Sequence, residues 1–97
     1  MIYTFSDALR IENEIDEAIR LLRILRSSDG YSIYDDGIAI YNRATEAGQR
    51  AVNHFESFYS YAYEGYYAGR HSDYNLMCKA NEMAIKYNRM LDLAEAQ

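Results

Sequence analysis

From Ile38 to Gly69 one kind of position recurs every three or four residues: Ile38, Tyr41, Thr45, Gly48, Val52, Phe55, Tyr59, Ala62, Tyr66 and Gly69. That spacing is a heptad seam, the pattern of a helix that lays one stripe against its partners. The chain contains no proline, so the commonest helix breaker is missing throughout. A helix over 36–69 has about 33 residues and, at 1.5 Å per residue, a length of roughly 50 Å.

The second half of this stretch is unusually aromatic. His54 to Tyr74 holds six of the eleven tyrosines and two of the three phenylalanines. At about 100° per residue, Tyr61 falls opposite the seam, near Arg43, Arg50, His54, Ser57 and Glu64. Phe58 and Tyr67 fall on its two flanks. The aromatic residues are spread too widely for one buried stripe, so some of them face solvent, another subunit or a target.

Two further helices flank the long one. Thr4 can cap a helix start, with Asp7 three residues on as its capping-box partner. Ala8, Ile11, Ile15, Ala18, Leu22 and Leu25 then follow in three-four spacing, and Leu9, Ile19, Leu21 and Ile24 widen the apolar face. Acids come first and Arg20, Arg23 and Arg26 last, which suits the helix dipole, and Asp16–Arg20 is an expected i,i+4 pair. Ser27-Ser28-Asp29-Gly30 ends this helix. Gly69-Arg70-His71 forms the next turn, and Ser72 or Asp73 caps a third helix. Its apolar face is Leu76, Met77, Ala80, Met83, Ala84, Tyr87, Met90, Leu91 and Ala94. Residues 30–37 read two ways. Asp35 or Asp36 can cap the long helix, which the unbroken seam favours, or Asp36-Gly37 can turn a short hairpin near 31–40. Gly48 and Gly65 mark candidate points of close packing, and Gly65 a candidate bend.

The expected fold is therefore all-α: a single domain, 1–97, forming a three-helix antiparallel bundle around a long tyrosine-rich central helix, with helices over 5–27, 36–69 and 73–95. About three-quarters of the residues should be helical. The central helix overhangs its neighbours, and an overhanging aromatic helix is a candidate dimer seam, so a homo-oligomer, a dimer or higher, is expected.

Charge and cysteine usage narrow the function. The net charge is −5, without a basic patch, so attraction to a phosphate backbone is not expected. No run approaches the roughly 20 apolar residues that span a bilayer, and the N-terminus MIYTFSDALRIENEID has neither the basic nor the apolar region of a signal peptide. The single cysteine, Cys78, excludes an intrachain disulfide and fits a reducing cytoplasm.

Candidate chemistry is sparse. His54 and Glu56 point to different sides of a helix, and His71-Ser72-Asp73 matches no metal-ligand spacing. Asp29, Asp35 and Asp36 do not make an EF-hand loop. Cys78 near the start of the third helix, with His71 upstream, is the one candidate nucleophile; the simpler reading is a small, partly buried residue beside Met77. The expectation is a protein with no catalytic residue, cofactor or metal. Base stacking on the tyrosines would need a positive groove, and the local charges of Glu56, Glu64 and Asp73 against Arg70 have the wrong sign.

A protein-recognition surface fits better, because tyrosine combines large contact area with a hydroxyl that tolerates water. Tyr61, Tyr67, His54, Arg50 and Phe58 on the long helix, with Tyr31 and Tyr34 in the loop, are the candidate partner-binding residues. In general character, being short, acidic, helical and without motifs, the chain is similar to small phage-encoded inhibitors of host machinery such as anti-CRISPR proteins. That likeness implies a docking partner that is a larger protein or protein complex. The alternative is a helical homo-oligomer that sequesters a small ligand, phosphate-bearing on the Arg43, Arg50, His54 and Tyr61 face, between subunits.

Overall fold

A computed structural model describes residues 2–27, 35–70 and 74–95, and for residues 26–41 it describes no side chains. Three helices account for almost all of it: α1 (Phe5–Ser27), α2 (Asp35–Tyr67) and α3 (Tyr74–Glu95), of 23, 33 and 22 residues. Each packs against both others, so the fold is the expected three-helix bundle. Its longest dimension, 53 Å, is that of α2 alone. The chain directions alternate. The Tyr3 ring, at the start of α1, meets Phe58 and Tyr61 late in α2, whereas Leu22 and Leu25 lie by Ala44 near its start. Tyr74 of α3 meets Tyr66, and Tyr87 stacks on Phe55 further back along α2.

The local signals at helix ends act as the sequence reads. The Thr4 backbone N–H donates to the Asp7 carboxylate at 2.8 Å, and the Asp7 N–H donates to Thr4 Oγ1 at 3.2 Å, a reciprocal capping box. The bond from the Thr4 N–H also holds the Asp7 carboxyl below its ordinary range. At the end of α2, Gly69 takes a φ of +94°, open to glycine at little cost. The Arg70 N–H then reaches back to the Gly65 carbonyl and the Gly69 N–H to that of Tyr66, at 2.9 and 3.1 Å, a Schellman closure.

Residues 35–40 are helical, which excludes the hairpin near 31–40: Asp36-Gly37 lies in the first turn of α2 and cannot turn a strand pair. Asp35 and Asp36 are likewise inside the helix rather than at its cap. The Gly30 stop, Tyr31, Tyr34, His71 and the caps Ser72 and Asp73 lie outside the described residues.

The phase of α2 is the main departure. Its buried line is Ala44, Ala47, Ala51, Phe55, Phe58, Ala62 and Gly65, one residue out of register with the seam Thr45, Gly48, Val52, Phe55, Tyr59, Ala62 and Tyr66. The two lines share Phe55 and Ala62. Thr45 is exposed, and Val52, Tyr59 and Tyr66 are only partly covered. The reason is steric. The face of α2 that looks into a bundle must admit two helices at once, and alanines let their backbones approach where rings would hold them apart. The tyrosines are displaced to the margins, where a ring covers the core and the hydroxyl stays wet. Gly48 is not a close-packing point, since a Cβ there would meet nothing within 4 Å.

In α1 the whole expected line from Ala8 to Leu25 is buried, with Ile19 and Leu21, while Leu9 and Ile24 stay substantially exposed. In α3, Leu76, Ala80, Met83, Tyr87 and Met90 are buried as expected. Cys78 is exposed, not tucked beside Met77: it sits two residues after Leu76, on the turn that faces away from the core. The arginine–acid pairing also differs. Arg20 bonds Glu17 at 2.6 and 3.0 Å instead of Asp16, because Asp16 is taken by Lys86 of α3 at 3.2 Å.

Phe58 is fully buried and is the largest such side chain. Phe58→Ala should therefore destabilise the fold by about 3–5 kcal/mol, whereas Thr45→Ala, on the seam that is exposed, should stay within about 0.5 kcal/mol of the parent. Urea unfolding midpoints of the two variants check the phase of α2 directly.

Candidate functional site

The aromatic residues of α2 form a continuous ladder. Phe55, Tyr59, Tyr63 and Tyr67 follow one another at i,i+4, with ring centroids 5.6, 4.5 and 6.1 Å apart. Tyr87 of α3 closes one end by stacking on Phe55 at 4.4 Å. The other end turns through Tyr66 to Tyr74, at 5.5 and 6.0 Å. The ladder runs from core to surface. Phe55 and Tyr87 are buried, Tyr59 and Tyr63 are partly covered, and Tyr67 and Tyr74 are 77% and 51% exposed. Two hydrogen bonds pin it to α3: the Tyr63 hydroxyl donates to Asn81, and the Tyr87 hydroxyl donates to Glu56 at 3.0 Å. Burial, then the neighbouring Glu56 carboxylate, pushes the Tyr87 phenol up to about 12.

The side of α2 that faces α1 is different in kind. His54 Nδ1 lies 2.7 Å from Glu14. Glu17 feels the Arg43 charge as well as its bonded partner Arg20. Tyr61 is partly buried, its ring 5.3 Å from that of Tyr3, and the Arg70 guanidinium sits 4.9 Å over its face. Between α1 and α3 runs a polar ladder. Lys79 meets Glu12 at 3.1 Å and Glu82 at 3.3 Å, and Lys86 meets Glu12 and Asp16. Burial alone would lower the Lys79 ammonium, but its bonds to Glu12 and Glu82 outweigh that and hold it above its ordinary value.

The expected partner-binding residues therefore divide. Arg50, His54 and Tyr61 share the α1 side of α2. Tyr67 is turned about 120° away from Tyr61 around the helix. Phe58 is buried between α1 and α2 under Tyr3 and cannot meet a partner. Tyr61 is not the free ring that the seam reading implies, because the register shift brings it against Tyr3. Sequence reasoning also missed Tyr74 as a site residue, whose ring meets that of Tyr66; it lies on α3, beyond the end of α2, so the face pattern of α2 says nothing of where its ring goes.

Several hollows mark the surface among the described residues, one of about 580 Å³ beside Phe5, Leu76, Cys78 and Lys79. An apolar pocket of about 230 Å³ lies where Leu22, Leu25, Ala44, Gly48, Val52, Met90 and Leu91 meet. Two open grooves, of about 440 and 650 Å³, flank the outside of α2 and share Glu56 and Ser60. Among the described residues no three histidine, cysteine, aspartate or glutamate side chains are grouped to hold a metal. No described helix is long and apolar enough to cross a membrane.

The fold places the chain in the broad class of three-helix bundles. No known protein family matches the sequence, no curated protein is significantly similar to it, and no solved structure matches its fold.

The Tyr87 phenol gives a test of the ladder's buried end. Its folded value lies above the unfolded one near 10, so folding favours the neutral phenol. Its contribution is complete below pH 10 and is lost as pH rises through about 12. Tyr87→Phe keeps the stack on Phe55 but removes the titrating group. Stability measured by chemical denaturation should fall less steeply between pH 10 and 12 in the variant than in the parent.

Proposed function

We propose that the protein is a non-catalytic helical docking module that acts by binding a larger protein through the outer face of α2 and the first turn of α3. The observation that carries this reading is the exposed end of the ladder, where Tyr67 and Tyr74 stand 77% and 51% open around Tyr66. Tyrosines in this arrangement are already ordered by one another, so a partner would cover large rings at small entropic cost. Tyr67 is the anchor. It contributes nothing to the buried core, yet its ring is held by Tyr63 and Tyr66.

A phosphate-bearing ligand on the Arg43, Arg50, His54 and Tyr61 face is less well supported. Glu14 lies against His54 and the Glu17 charge against Arg43, and these carboxylates repel an anion at that face. Among the described residues the apolar pocket has no charged side chain in its wall to orient such a ligand.

Tyr67→Ala and Tyr61→Ala separate docking from folding. Tyr67→Ala should keep the parent melting temperature while weakening partner retention by roughly thirtyfold, the equivalent of about 2 kcal/mol for a central aromatic anchor. Tyr61→Ala should lose about 1–2 kcal/mol of stability through the exposed Tyr3 and Phe58 rings. Retention is read by pull-down from a lysate of the encoding organism, with thermal melts of both variants alongside. Unchanged retention by Tyr67→Ala would remove that face from consideration.

A further inference from the structure

We infer that the band of α2 from Glu56 to Glu64 seats an arginine-bearing segment of the partner protein, an inference that rests on the docking reading and adds the partner's chemistry to it. Glu56, Ser60 and Glu64 follow at i,i+4 along the exposed outside of α2. The two open grooves meet on Glu56 and Ser60. One is walled by Phe55, Tyr59 and Tyr87, the other by Tyr3, Tyr61 and Glu64. The band thus carries two carboxylates, one on either side of Ser60, between grooves with aromatic walls.

Among the described residues the charges on this band have no basic partner. Every acid of α1 has a basic partner: Asp7 meets Arg10, Glu12 meets Lys79, Glu14 meets the His54 ring, Asp16 meets Lys86 and Glu17 meets Arg20. Among the described residues no cation is paired with Glu56 or Glu64, and the one hydrogen bond Glu56 accepts comes from the Tyr87 hydroxyl. The aromatic walls supply the second recognition element, independent of the carboxylates. The Arg70 guanidinium already occupies the Tyr61 face at 4.9 Å, in the geometry that arginine prefers, which leaves the partly exposed Tyr59 ring as the wall for a further planar cation. Glu56 and Glu64 are about 12 Å apart along the helix, a separation that about two turns of a basic helix match. A phosphate backbone would meet the same carboxylates with the wrong sign.

The probe is an alanine-based helical peptide with arginines at i,i+4, titrated against the full chain by calorimetry and by amide chemical shifts, beside its citrulline counterpart, which keeps the shape without the charge. The arginine peptide should bind, shift the amides around Glu56, Ser60 and Glu64, and weaken as salt screens the exposed charges. The citrulline peptide should not bind. Glu56→Gln with Glu64→Gln should weaken the arginine peptide at least tenfold with an unchanged melt, because the glutamine carbonyl still accepts the Tyr87 hydroxyl. Equal binding of the citrulline peptide, or parent-like binding by the double variant, overturns the inference. So does a light-scattering mass that drops in the double variant, which would make a second copy of the chain the occupant. The peptide titration needs no cellular partner, so it fails separately from the docking reading, which depends on retention by Tyr67→Ala.

Discussion

The close approach of α1 and α3 to the alanine line of α2 is the contact on which the other features of the bundle depend. Ala44, Ala47, Ala51 and Ala62 are all nearly or wholly buried. They contribute little apolar area themselves, but they allow the larger side chains of α1 and α3 to fill the centre. Ile11, Ile15, Met83 and Met90 are sealed there, with Phe58 as the largest piece. Once that line faces inward, the helical period sets where every tyrosine of α2 must go. Tyr59 and Tyr63 come to the α3 margin, Tyr61 to the α1 margin, and Tyr67 to the outside.

The same placement divides α2 into surfaces with different chemistry. Toward α1, cationic and imidazole groups are met by carboxylates. Toward α3, rings stack and their hydroxyls find Asn81 and Glu56. Outside, Glu56 and Glu64 lie between aromatic margins, and no described cation is paired with them. The docking proposal and the proposed arginine-bearing occupant both follow from this outer surface. A core packed by rings would have used up the aromatic margins that give the outer face its character.

The three helices were legible because their signals are local. Periodic apolar positions, the Thr4–Asp7 capping box and the glycine after α2 act within a few residues, and α1 and α3 follow their expected faces almost throughout. Along α2 two seams one residue apart both satisfied the heptad pattern, since Phe55 and Ala62 belong to each. Hydrophobic size favoured the line of Val52, Tyr59 and Tyr66. The repeated alanine spacing at 44, 47 and 51 was the signal for the other. It was overlooked because alanine reads as weakly apolar and not as a point of contact. The misplacement of Phe58 as a flank residue and of Tyr61 as a free ring both came from that single shift. The expected Asp16–Arg20 pair failed for a related reason: helix spacing allowed it, and Lys86 on another helix decided it.

What the sequence determined by itself was the number and approximate extent of the helices, the capping box that starts α1 and the glycine that closes α2, and a surplus of aromatic residues too large for one buried stripe. Those properties depend on backbone hydrogen bonding and on side chains within a turn of one another, and both are written in adjacent residues. What only the tertiary structure decided was which stripe of α2 is inside, which acids keep a cation and which do not, and that Tyr74 joins the rings of α2. Each of these is settled by competition between helices for the same volume or the same charge. The outcome depends on residues as far apart as Asp16 and Lys86 or Tyr3 and Phe58, whose proximity exists only after the helices have packed.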